Sequence, residues 1–254
     1  MSNLSGWRAA RRLGQALLAC GIALFAAAAT FAAPEFQDTI AQRVKACTAC
    51  HGDQGRSGPD EYYPRLAGKP AGYLYNQLLS FRDGRRHYGL MTHMVDLMTD
   101  DYLMEIAQYF AALEVPYPPP AALPDHPSAH ALARGEQIVL HGDPGAHLPA
   151  CVACHGTRLT GAEPRFPGLV GLSVDYLTAQ LGAFKTGERK AYPPDCMAKV
   201  AERLTDADAY AVAHWLANQA VPADSHPAPL GTIEQPVAPD LRCGSAPWPQ
   251  GVKP

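Results

Sequence analysis

Residues 47–51 read Cys47-Thr-Ala-Cys50-His51, and residues 151–155 read Cys151-Val-Ala-Cys154-His155. Both stretches carry the motif C-x-x-C-H followed by glycine, and they lie 104 positions apart, from 47 to 151. A five-residue motif that occurs twice in one chain raises the question of whether the surrounding sequence is also repeated.

The sequence downstream of the two motifs is repeated as well. Ten residues recur 103 positions later in the chain: Pro64, Leu66, Gly68, Tyr73, Leu74, Gln77, Leu78, Phe81, Gly84 and Arg86 match Pro167, Leu169, Gly171, Tyr176, Leu177, Gln180, Leu181, Phe184, Gly187 and Arg189. Met91, Thr99, Asp100 and Tyr109 then match Met197, Thr205, Asp206 and Trp215 at an offset of 106. Ten matches at one offset, followed by four matches at a slightly larger offset, indicate a duplicated domain.

We therefore predict two homologous domains, at residues 33–113 and 128–220. Between them, residues 114–127 form a linker with six prolines, which disfavour helix and favour an extended, semi-rigid connector. Residues 221–254 form a second proline-rich segment, a C-terminal tail for which we predict little regular structure.

Helical periodicity predominates inside each domain, and no convincing strand alternation is visible, so the predicted fold class is all-α. The predicted helices include 38–46, 72–82, 129–140 and 174–185. Thr99-Asp100 and Thr205-Asp206 are predicted to begin the last helix of each domain, because a hydroxyl cap followed by carboxylates suits a helix N-terminus.

Residues 1–32 have the pattern of a secretory signal peptide, with three arginines, no acidic residue and an apolar run at 16–29. Small residues follow the run, and cleavage is predicted before Ala33. An uncleaved membrane anchor at 13–33 is the alternative. Removing three arginines takes the formal charge from −3 to −6, and an acidic surface argues against nucleic acid as a partner.

The C-x-x-C-H motif indicates covalent haem attachment, because two thiols one helical turn apart can bond one haem edge beside an iron-binding histidine. The predicted attachment residues are Cys47 and Cys50 for one haem c, and Cys151 and Cys154 for the other, with His51 and His155 as iron ligands. The alternatives are zinc and a redox disulfide. A zinc site needs four ligands together, whereas these pairs lie in separate domains.

Methionine is the predicted sixth ligand of each iron. Met91 follows His51 by 40 residues and Met197 follows His155 by 42, each just before the last helix of its domain. A thioether opposite histidine raises the potential and leaves no open iron position. The alternatives are Met94 as the ligand, or a packed stripe of methionines in the core.

A proline lies at an equivalent position after each motif histidine, 13 residues on at Pro64 and 12 residues on at Pro167. The backbone carbonyl at this point can accept the proton on the other nitrogen of the histidine ring and so fix the ring. A simple loop proline is the competing interpretation.

The chain resembles the dihaem cytochrome c4 family, which consists of two fused class I cytochrome c domains. The resemblance covers about residues 36–220, through C-x-x-C-H-G, P-x-L-x-G, Y-L-x-x-Q-L-x-x-F-x-x-G and M-x-x-x-x-x-x-[ML]-T-D. It implies an all-α fold, a periplasmic location, His51 and Met91 on one haem, and His155 and Met197 on the other. It also implies electron transfer from a dehydrogenase or quinol-oxidising complex to an acceptor oxidase, with docking to a membrane complex as one form of partnership.

Cys196 and Cys243 remain after the four haem cysteines and the leader's Cys20 are assigned. In an oxidising compartment such a pair usually forms a disulfide. A Cys196 thiolate that replaces Met197 on iron is the alternative. It would favour a dihaem enzyme such as a thiosulfate dehydrogenase over the predicted electron carrier. A cytochrome subunit dedicated to a dehydrogenase is a third interpretation.

Overall fold

The computed structural model describes residues 37–58, 62–120, 125–229, 231–232 and 239–252, together with residue 11. Apart from residue 11, the predicted signal peptide at 1–32 lies outside the described residues, as does the alternative anchor. Within the described part of the chain, no helix has the length and apolar character needed to cross a bilayer. Residues 40–254 form one compact unit.

The first half of this unit is built from helices joined by loops. They are α1 (Ile40–Arg43), α2 (Lys45–His51), α3 (Ala71–Arg82), α4 (Gly89–Val95) and α5 (Asp100–Ala111), with a 3-10 turn at Asp53–Gly55. Helix α3 packs against α4 and α5. Buried side chains from these helices, including Leu74, Tyr75, Leu103 and Phe110, form the hydrophobic core of this half.

The second half repeats this arrangement with α6 (Ala129–His141), α7 (Val152–His155), α8 (Val174–Thr186), α9 (Cys196–Arg203) and α10 (Asp206–Ala217). In the described residues, strands are limited to the antiparallel pair β1 (Gly161–Ala162) and β2 (Phe166–Pro167). The predicted all-α fold is confirmed. Helix α10 crosses α6 closely at Gly135, where a Cβ atom would lie 2.2 Å from the carbonyl oxygen of Ala211.

Side-chain caps explain where several helices begin. The Thr99 hydroxyl accepts a hydrogen bond from the Tyr102 amide at the start of α5. Thr205 forms a full capping box with Asp208 at the start of α10, and Ser128 caps α6. These caps satisfy amide groups that a helix N-terminus leaves without partners. The predicted starts of the last helices, and of α6 at Ser128, are thus confirmed.

The described part of the linker is non-helical, as predicted, and side chains from both halves hold it. The Arg65 guanidinium donates to the carbonyl oxygens of Val115 and Pro116 and stacks 3.8 Å from the ring centre of Tyr117. Beyond residues 121–124, which lie outside the described part, the Asp125 carboxylate contacts Nε2 of the buried His214 at 2.6 Å. The connector is therefore fixed at both ends.

The tail is fastened to both halves of the unit. A disulfide joins Cys196 to Cys243, with 4.9 Å between the Cα atoms, so the predicted bridge is confirmed. The alternative in which Cys196 supplies a thiolate to iron is wrong, because its sulfur is bonded to Cys243. Farther along, the Ala246 amide donates to Oδ1 of Asn76 at 3.0 Å, and the Ala246 side chain is buried in the first core.

Removing the bridge is expected to destabilise the protein substantially. The double variant Cys196→Ser/Cys243→Ser should lose about 4 kcal/mol of unfolding free energy, from the chain-entropy model for a loop of this size. Denaturant unfolding of the oxidised protein measures the loss. Wild type treated with a reductant serves as the matched control and should shift equally. An unchanged midpoint in both samples would show that the tail adds no stability through the bridge.

Candidate haem sites

The second motif opens onto a large, mainly apolar cavity. Cys151, Cys154, His155 and Met197 all line this cavity, whose empty space measures about 1590 Å³ including solvent at its mouth. Apolar side chains from α8, α9 and α10 form much of the wall, among them Leu177, Leu181, Phe184, Val200, Leu204 and Val212. The structure thus brings together every residue that the sequence predicted for the second haem.

The first motif occupies the equivalent position in the first half. His51 is the last residue of α2 and is 6% exposed. Cys47 and Met91 both pack against the hydrophobic core of the first half. Met94, the alternative ligand, is 40% exposed. These exposures favour Met91 over Met94 as the sulfur that faces the interior.

Each motif histidine has one ring nitrogen held by a backbone carbonyl. Nδ1 of His51 donates to the carbonyl oxygen of Pro64 at 2.8 Å, and Nδ1 of His155 donates to that of Pro167 at 2.8 Å. The predicted role of these prolines is confirmed. Burial lowers the pKa of both histidines, which favours the neutral imidazole. With the proton on Nδ1, the lone pair on Nε2 is left to bind a metal.

Three of the four motif thiols lack the lowered pKa that is typical of a redox or zinc site. Burial raises the pKa of Cys151 to about 12 and also raises the pKa of Cys47 and Cys154. Reactive C-x-x-C thiols have lowered pKa values, because the thiolate is the nucleophile and the metal ligand. Within the described residues, no three side chains of the His, Cys, Asp or Glu type converge to hold a metal ion. Covalent attachment of haem fits these thiols better.

The two halves meet through a polar network with approximate two-fold symmetry. Arg86 donates to Oε1 of Gln77 in its own half at 2.9 Å and to Oε1 of Gln180 in the other half at 2.7 Å. Arg189 donates to the same two oxygens, each at 2.8 Å. The backbones of Arg86 and Arg189 also form an antiparallel bridge. The network links residues that correspond to each other at offset 103.

This interface carries positive charge whose described partners are neutral. Arg189 is buried with amide and phenol oxygens as partners, and Lys69 is 5% exposed with only the Gly168 carbonyl, 3.5 Å away. Burial alone would raise the pKa of Tyr73, but the charges of Arg189, Arg86 and Lys69 outweigh burial and lower it to about 8. Buried cations require a counter-charge. Haem propionates would supply it, so the residues present fit two haems.

Sequence reasoning missed most of this interface. Arg86 takes part in it, whereas the neighbouring Arg85 pairs with Asp83 at 2.8 Å and stacks on Tyr192. The signal was nevertheless present, because Gln77 and Arg86 are polar residues that the duplication preserves. A polar residue that recurs in both copies of a repeat is a candidate for an interface between the copies.

Comparison with known proteins identifies relatives along most of the chain. The family model for cytochrome c matches residues 133–220. A thiosulfate dehydrogenase electron acceptor from Thiomonas intermedia is 40% identical over 189 residues, which cover 74% of this chain and 85% of the relative. A cytochrome c4 from Thiocapsa roseopersicina is 35% identical over 190 residues, covering 73% and 94%.

A solved structure is also similar. The thiosulfate dehydrogenase from Marichromatium purpuratum matches with a TM-score of 0.58 and 35% identity over 67% of this chain. The match takes up 36% of that dehydrogenase chain, so this protein corresponds to only about a third of it.

Proposed function

This chain belongs to the cytochrome c4 family of dihaem c-type cytochromes, and on that premise we propose that it accepts electrons from a thiosulfate dehydrogenase and passes them to a terminal oxidase. Its cofactors are two covalently attached haem c groups, and it is an electron carrier and not an enzyme. Haem c supplies a one-electron Fe(III)/Fe(II) couple. The named donor rests on the 40% identity to an electron acceptor of that enzyme.

We assign Cys47, Cys50, His51 and Met91 to the first haem, and Cys151, Cys154, His155 and Met197 to the second. One observation carries this assignment: both motif histidines donate from Nδ1 to a proline carbonyl at 2.8 Å, which leaves Nε2 free for iron. The same arrangement in both halves supports two sites of the same kind. We also propose two domains with the limits 33–113 and 128–220, which the repeat in the sequence supports.

The residues of each site act by positioning and by excluding water. The proline carbonyl fixes the ring plane of each histidine and keeps its proton on Nδ1. Met91 and Met197 would each supply a thioether as a further iron ligand, which would leave no position for a substrate and so suits electron transfer. Arg86 and Arg189 place positive charge where the two halves meet, so they would stabilise haem propionates at this interface.

We also propose a periplasmic location. The Cys196–Cys243 disulfide supports it, because structural disulfides persist in oxidising compartments and are rare in the cytosol. The predicted signal peptide at 1–32 supports it from the sequence.

Reduction by a donor enzyme tests the proposed function. Oxidised protein mixed with thiosulfate and the thiosulfate dehydrogenase of Thiomonas intermedia should become fully reduced, as followed by the haem absorption bands. Thiosulfate without the enzyme should reduce it negligibly, and reduced wild type should bind little carbon monoxide. Reduction by thiosulfate alone would indicate an enzyme. Reduction by a quinol-oxidising complex but not by the dehydrogenase would assign the other donor class.

A further inference from the structure

The helices that carry the two proposed methionine ligands are equivalent in the repeat, but the residues beside the two methionines have different surroundings. Met91 on α4 corresponds to Met197 on α9 at offset 106. At the same offset, Leu90 corresponds to Cys196. Leu97, in the turn after α4, corresponds to Arg203 at the end of α9.

In the second half, the tail covers these positions. Cys196 is bonded to Cys243, and the Arg203 guanidinium forms an ion pair with Asp240. The 3-10 turn at Pro239–Leu241 packs on α9, and the Leu241 side chain is buried. The face beside the second proposed ligand is therefore occupied by the protein's own chain.

In the first half, the equivalent face is exposed and apolar. We call Leu90, Met94 and Leu97 the α4 face; they are 61%, 40% and 93% exposed and follow the spacing i, i+4, i+7 of one helix side. Tyr62, which is 61% exposed, adjoins it, since its hydroxyl contacts that of Tyr88 at the start of α4. The described chain has five exposed large hydrophobic side chains, and four of them belong to this one region. A cluster of this kind marks an interaction site.

The charges around the α4 face are acidic. Asp96 follows α4 directly, and Asp100 and Asp101 begin the next helix; all three are exposed. The nearby Arg82 forms ion pairs with Asp100 at 2.7 Å and with Asp83 at 3.0 Å, so the negative charge that remains at the rim comes from Asp96 and Asp101. An apolar patch with an acidic rim is complementary to an apolar patch with a basic rim.

We propose that this protein exchanges electrons with its redox partner through the α4 face. Because the tail covers the equivalent residues of the second half, the first half is the docking side. The partner is a redox protein that presents an apolar patch surrounded by lysine or arginine side chains. This proposal rests on the proposed function.

The variant Leu97→Lys tests the proposal. It removes an apolar contact and adds a charge that repels a basic rim, and at an exposed position it should barely affect folding. The second-order rate constant for reduction by the thiosulfate dehydrogenase of Thiomonas intermedia should fall at least tenfold. Reduction by a small mediator such as ascorbate should not change.

The matched control is Glu202→Gln, which changes the charge equally at an exposed position on α9, equivalent to Asp96. Its rate constant should stay within twofold of wild type. Equal rates for Leu97→Lys and wild type would overturn the docking proposal while leaving the function intact. A wild-type dimer that Leu97→Lys converts to a monomer would assign the face to a second copy and overturn it too. Wild type that the dehydrogenase fails to reduce would instead contradict the proposed function.

Discussion

Met197→Ala and Met91→Ala are each expected to produce one haem that binds carbon monoxide in the reduced state. Alanine has no sulfur to close the sixth position, so one iron in each variant becomes accessible. The midpoint potential of that haem should fall by on the order of 0.1 V or more, because axial ligands set haem potentials over a range of about 0.8 V. Carbon monoxide difference spectra and redox titration measure the two effects.

Met94→Ala is the matched control for the first half, since Met94 lies three residues from Met91 on the same helix and is partly exposed. It should keep both haems closed to carbon monoxide. Carbon monoxide binding by Met94→Ala but not by Met91→Ala would show that the sulfur was assigned wrongly. For the second half, Cys196 is held in its disulfide and does not replace the missing sulfur.

Lys69→Met is expected to lower the midpoint potential of the haem attached to Cys151 and Cys154. Lys69 belongs to the first half, yet its side chain is buried and lines the cavity beside His155. A buried positive charge favours the reduced, less positive state of a nearby redox centre. A tenfold change in the redox equilibrium, about 59 mV for one electron, is the expected size.

The repeat makes this effect asymmetric. The residue equivalent to Lys69 at offset 103 is Leu172, so the second half contributes no corresponding cation. Spectroelectrochemical titration should therefore show the second haem shifting more than the first. Lys45→Met, which removes an exposed lysine beside the first motif, is the control and should change neither potential appreciably. Equal shifts of both haems in Lys69→Met would contradict the assignment of this charge to the second site.

The features that could be predicted from the sequence are those that neighbouring residues specify. The C-x-x-C-H motif contains its own chemistry, because two thiols and an imidazole one helical turn apart need no distant partner. Thr99 and Thr205 cap helices through amides three residues away, so their role follows from spacing alone. The comparison of the two repeats also predicted the role of the proline carbonyls, because each proline follows its histidine by nearly the same number of residues.

The contacts between the halves could not be predicted in this way. Gln77 and Arg189 are 112 positions apart and meet only when both domains are folded and docked. The path of the tail could not be predicted either. The cysteine pair indicated one point of attachment, but the contact between Asn76 and Ala246 spans 170 positions. Proline-rich segments lack a periodicity that would indicate which surface they cover.

The sequence alone determined the helical class and the presence of two haems, and it predicted their attachment residues and ligands, because these depend on short-range spacing repeated twice. Only the tertiary structure decided that the tail covers the face of α9, that the α4 face stays exposed, and that Lys69 lies beside the other half's motif. These features arise from packing between segments far apart in the chain. The physical reason is that local conformational preference acts over a few residues, whereas burial and charge compensation act between whatever surfaces the folded chain brings together.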